Sequence, residues 1–170
     1  MASEHGVVRA FRDEFVALRA LADKAIEQVD DDAFFVQLDE DANSIALLMK
    51  HVGGNLRSRW TDVFTADGEK PDRRRDEEFE RGASDTRLTI GTTWNAGWAA
   101  VLQTLDLLRD GDLERPVVIR EQTMPLSRAL TRSLAHTAGH VHQIVLLSKH
   151  WRGPSWRTLS IPRRRPEEAR

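Results

Sequence analysis

The sequence contains no cysteine. That absence excludes disulfides, thiolate metal sites, iron–sulfur clusters and a cysteine nucleophile. Any metal must be held through nitrogen and oxygen ligands. No apolar run approaches the roughly 20 residues of a membrane span, so no membrane partner is expected. Net charge is also scarce. The 25 Lys and Arg and 27 Asp and Glu leave a formal charge of -2. That balance favours neither nucleic acid nor an anionic membrane as partner. Met1-Ala2-Ser3-Glu4-His5 leads into an amphipathic stretch without an apolar h-region. No signal peptide is expected, and a cytoplasmic location is the default reading. What is present suits one domain: 170 residues, 40% hydrophobic and 31% charged. That supplies a core and a solvated surface.

Apolar periodicity predicts four helices. The first spans about Ser3 to Val29, with Val7, Val8, Phe11, Phe15, Leu18, Leu21, Ala22 and Ile26 recurring at three and four residues. Asp30-Asp31-Asp32 opposes its negative end. Phe34 to Leu38 reads as a short extended piece. The second helix starts at Asn43 or Ser44, either a good N-cap, and runs to about Phe64. Gly53-Gly54 inside it costs stability relative to Ala, unless a neighbouring helix or a ligand comes close there.

Ala66 to Ala83 reads as a long surface loop with at most one helical turn. Its charge run Asp72-Arg73-Arg74-Arg75-Asp76-Glu77-Glu78 reads as solvated. The third helix spans Ser84 or Asp85 to Arg109. Pro116 to Arg120 predicts a strand, paired in a hairpin with residues near Thr123. The fourth helix runs from about Pro125 to Trp151, and Gly153-Pro154 stops it. The expectation is an all-α four-helix bundle over residues 1–155, with a disordered tail over 156–170.

The chemistry concentrates in histidine. His136 and His140 lie one helical turn apart on one face, where two imidazoles can reach one metal at roughly 2.0–2.1 Å. They flank the apolar stripe of Leu130, Leu134, Val141 and Ile144. His51 flanks the corresponding stripe of the second helix, so two helices can each turn a histidine toward one interior point. Three imidazoles with one open position make a catalytic type of site. Polar core histidines, or histidines paired with buried carboxylates, produce the same pattern. His142 points elsewhere on the wheel, and His5 and His150 lie too far along their helices. Asn55, Arg59 and Trp60 follow His51 and are candidate substrate-binding residues. Trp94 and Trp98 are core or pocket. The Arg73–Arg75 run is a weak anion-site candidate, because its acids are interleaved.

One histidine on the second helix and a His-x-x-x-His pair on the fourth resemble the DinB/YfiT-like superfamily of four-helix-bundle metalloproteins. The words that carry the resemblance are Lys50-His51-Val52-Gly53-Gly54-Asn55, Ser58-Arg59-Trp60-Thr61-Asp62, Asp67-Gly68-Glu69-Lys70-Pro71 and His136-Thr137-Ala138-Gly139-His140-Val141-His142-Gln143-Ile144-Val145. The resemblance covers the chain up to about Trp151. It implies a divalent metal, zinc or nickel, on His51, His136 and His140. It also implies a homodimer and a small-molecule substrate. Characterised members of the superfamily carry out thiol-dependent transfer or isomerisation, and others are proposed hydrolases. His142 departs from the pattern, standing where Gly is expected.

Three functions follow. A metal-dependent transferase would take its thiol from a low-molecular-weight cosubstrate, since the chain has none of its own. A hydrolase would activate water and needs a nearby base. The ligand helices offer no close carboxylate, which favours the transferase, although Glu69 or another loop residue could reach in. A non-catalytic metal-binding dimer is the third.

Overall fold

The computed structural model describes residues 6–161. The protein is mostly helical, with one small antiparallel two-stranded sheet. Its elements are α1 (Val7–Ile26), α2 (Asp31–Phe35), α3 (Ile45–Trp60), α4 (Arg87–Leu107), β1 (Pro116–Ile119), β2 (Gln122–Pro125) and α5 (Leu126–Arg152). Each long helix packs on two others: α3 on α4 and α5, and α1 on α4 and α5. Phe15, Leu48, Leu56, Trp98, Leu130 and Ile144 fill the space between them. No described helix is long and apolar enough to cross a membrane.

Local chemistry sets the helix ends. Gly6 cannot cap α1 with a side chain, so the Asp110 carboxylate accepts from the Val7 and Val8 amides at 3.0 and 2.9 Å. Ser44 caps α3 as its sequence predicts, its hydroxyl accepting from Leu47 N–H. The helix stops at Trp60 rather than near Phe64, and Asp62 turns left-handed in the following turn. Thr86 and Thr89 form a reciprocal cap that starts α4 later than Ser84. Pro125 ends β2 and flanks α5 instead of entering its first turn.

Three expectations are corrected. Phe34 and Phe35 are helical, not extended. The aspartates that end α1 also start α2: Asp30 accepts from Ala33 N–H at 2.9 Å, and Asp31 and Asp32 complement the positive helix start. The segment after 155 is packed at its beginning. Gln28 pairs with both the N–H and the C=O of Arg157, and Trp156 and Leu159 lie against the core. The rest of that expected tail, 162–170, lies outside the described residues, as do residues 1–5. Finally, the 66–83 segment is not simply solvated. It carries a 3-10 turn, Asp76–Phe79, that packs on α3, with the side chains of Arg73 and Glu78 only 3% and 9% exposed.

The Gly53-Gly54 pair is explained by two different neighbours. A Cβ at Gly53 would meet the Thr93 carbonyl oxygen at 2.7 Å, and one at Gly97 would overlap the Gly53 backbone. The glycines let α3 and α4 touch backbone to backbone. A Cβ at Gly54 would instead collide with the Glu78 carboxylate.

Candidate metal centre

Helical periodicity brings the two α5 histidines to one face, and packing of α3 beside α5 adds the third. His136 Nε2 lies 3.1 Å from His51 Nε2 and 3.2 Å from His140 Nε2. One nitrogen from each of the three lies within 4.8 Å of both others. Two nitrogens bound to one ion at 2.0–2.1 Å stand about 2.9 Å apart at a right angle and about 3.3 Å apart at a tetrahedral angle. The two separations to His136 fall between these values and the third is under 4.8 Å, so the three imidazoles could hold a single divalent ion.

Their far nitrogens carry the second part of the design. The Glu78 carboxylate accepts from His51 Nδ1–H at 2.8 Å, which leaves the His51 Nε2 lone pair directed at the shared point. Arg73 grips the same carboxylate through Nε at 2.8 Å and Nη2 at 2.7 Å. Phe79, from the same 3-10 turn, stacks on the His51 ring at 4.5 Å. His140 Nδ1 meets the Gln143 amide oxygen at 3.0 Å, while His136 Nδ1 is buried without a partner among the described residues. Burial pushes the His136 pKa down to about 4, helped by the neighbouring His140, His51, Arg73 and Arg59. Burial also lowers His140. Both are therefore neutral near pH 7, the form that binds metal. Burial alone would raise Glu78, but hydrogen bonds from Arg73 and His51 outweigh it and keep the carboxylate ionised.

Beside the histidines opens a cavity of about 480 Å³. Asn55, Arg59 and Trp60 all line it together with His51 and His136. Their situations differ. The Asn55 amide has no hydrogen bond to another described residue. The Trp60 indole N–H donates to Ser133 Oγ at 3.0 Å, tying α3 to α5. The Arg59 guanidinium is occupied by Gly68 O and Glu69. Trp94 and Trp98 pack in the core against each other. His142 turns back to its own helix, donating to Ala138 O at 2.7 Å, and takes no part in the cluster.

The Asp67-Gly68-Glu69-Lys70-Pro71 word acquires a physical role. Arg120 and Glu121 both take positive φ, 53° and 62°, as a tight two-residue hairpin turn requires. Neither is glycine, so the turn is strained. Asp67 holds it by accepting from the N–H groups of Arg120 and Glu121, each at 2.8 Å. Glu69 then gathers Arg59, Arg73 and Arg120. Burial would raise the Glu69 pKa, but Arg120 and Arg59 bring it down to about 2.

Glu78 and Gln143 are the residues that sequence reasoning missed, and Arg73, read there only as part of a weak anion-site run, grips Glu78. Gln143 sits three residues after His140, a readable helical spacing. Glu78 gave no signal beyond a charge run. No curated protein matches the chain. Residues 3–165, nearly its whole length, match the family described as "Protein of unknown function (DUF1572)", and the protein belongs to that family.

Proposed function

We propose that this protein is a DinB/YfiT-like four-helix bundle that binds one divalent metal ion through His51, His136 and His140, and that it catalyses transfer of a low-molecular-weight thiol to a small-molecule acceptor. The carrying observation is the convergence of three Nε2 atoms whose partners on α3 and α5 come from different parts of the chain. A bound divalent ion would supply Lewis acidity, holding a thiol as thiolate at neutral pH.

The chain's own groups do the rest. Arg73 fixes Glu78, and Glu78 fixes the tautomer and tilt of His51. Asn55 offers an uncommitted amide to orient the acceptor, and Trp60 forms an apolar wall. Transfer is favoured over hydrolysis because neither nearby carboxylate is a free base. Glu78 sits behind His51, on the side away from the other two histidines, and is gripped by Arg73; Glu69 is held by three arginines.

The first test is elemental analysis of untagged protein beside His51→Ala, His136→Ala and His140→Ala. Near-stoichiometric zinc or nickel is expected in the wild type and none in the folded variants. Wild-type protein that stays metal-free after incubation with either ion would end this reading. Conjugation assays with and without added thiol then test the chemistry, and turnover that needs no thiol would point to hydrolysis.

A further inference from the structure

Five arginines line the cavity beside the histidines, Arg59, Arg73, Arg75, Arg120 and Arg132, and among the described residues no Asp or Glu does. Four of the five have carboxylate partners outside that lining. Arg59, Arg73 and Arg120 share Glu69, Arg73 also holds Glu78, and Arg75 meets the exposed Asp76. Arg132 is different. It has no carboxylate partner among the described residues, and its one polar contact is Nη1 to Met124 Sδ at 3.9 Å. It stands four residues before His136 on α5, on the same face and about 6 Å along the axis.

A guanidinium in a cavity wall, without its own counter-ion and flanked by further cations, is an oxyanion receptor. The planar fork matches carboxylate or phosphate with two parallel hydrogen bonds. Arg132, exposed at the cavity mouth, and its neighbouring arginines set a positive field that draws an entering anion. The remaining lining includes Trp60, Val63, Ile119 and Ala129. The volume, about 480 Å³, is that of a small-molecule site.

We infer that the molecule bound at the histidine site is a small organic acid, its oxyanion held by Arg132 and its reacting atom placed one helical turn away at the three histidines. The inference rests on the metal-site reading and names the substrate class for that site.

The test uses full-length protein loaded with Co(II) and three thiols of similar size. These are 3-mercaptopropionate (a planar carboxylate), 2-mercaptoethylphosphonate (a tetrahedral oxyanion) and neutral 3-mercapto-1-propanol. Calorimetry reads binding, and a thiolate-to-cobalt absorption band reads arrival at the metal. At least one acidic thiol should bind about tenfold or more tightly than the neutral one. Which acid is preferred identifies the oxyanion. Arg132→Gln should abolish the preference, Arg132→Lys should keep part of it, and Arg9→Gln on the far helix α1 should leave it intact. Metal content should not change in any of them. Equal affinity for acidic and neutral thiols, or a preference that survives Arg132→Gln, overturns the inference. An Arg132-dependent preference without a cobalt–sulfur band keeps the acid subsite and refutes the thiol chemistry. If neither cobalt, zinc nor nickel is retained, the metal reading fails, and calorimetry on the metal-free chain still decides the acid subsite.

Discussion

The two sides of α3 follow opposite rules. Toward α4 it is close-packed: Gly53 and Gly97 bring the backbones into contact, and Trp94, Trp98 and Val101 are buried on the α4 side. Toward α5 it is polar: His51, Asn55 and Arg59 face a cavity, and the crossing contacts include His51–His136 and a Trp60–Ser133 hydrogen bond. The comparison teaches how one helix can be both an anchor and a wall. Close packing on one side fixes the register of α3, and that register lets the other side hold imidazoles at a set separation. A loose site needs a tight seam behind it.

Breaking the seam should have the largest effect. Gly97→Val puts a branched side chain where the Gly53 backbone already sits. It should cost about 3 kcal/mol of stability, read as a fall in the urea midpoint, and should weaken metal binding although it touches no ligand. Unchanged stability would mean that the helices can part at no cost. Breaking the polar side should do the reverse. His136→Ala should abolish metal retention while the metal-free chain stays as stable as the wild type, since the buried Nδ1 of that half-buried imidazole has no partner among the described residues. A large loss of stability without metal would make His136 a structural core residue.

Glu78→Gln should be milder. It keeps the shape beside Gly54 but removes the charge that orients His51, so metal affinity should fall about 10–100-fold. Competition with a chromophoric chelator would measure this, and unchanged affinity would remove Glu78 from the site.

Acid should act on the polar side, and more gently. His136 takes its proton at about 4 in the folded chain and near the ordinary imidazole value of 6.5 in the unfolded one. The unfolded state therefore binds more protons across that window. Metal-free stability should be full above 6.5, fall as pH drops toward 4, and lose nothing further from this group below. Glu69, depressed from 4.5 to about 2, adds a second loss as pH falls through that lower range. In His136→Ala the first loss should shrink and the second remain. A pH series of urea midpoints separates the two, and an unaltered first window would show that His136 is not its source.

Much of the helical frame was legible in the residues. Val8, Phe15, Leu18, Ala22 and Ile26 announce α1 at helical spacing, and all are buried, although Val7, on the same predicted face, is exposed. Ser44 announces the start of α3. The hairpin was legible as a β-rich run before a break. The same aspartates could end one helix or start the next, and only the path of the chain after Asp30 shows that they do both.

The sequence by itself determined that two imidazoles share one face of α5, because a spacing of four is a property of the helix alone. It also determined that a nitrogen-ligand site has no thiolate competitor in this chain. Only the tertiary structure decided that His51 faces the pair, that Glu78 lies behind His51 in the space left by Gly54, and that Arg132 stands without a carboxylate partner among the described residues. Those facts depend on contacts between segments far apart in sequence. A charge run carries no record of which of its members will be buried. That is settled when Arg73 and Glu78 exchange water for each other against α3, and their partners become known only once the helices have met.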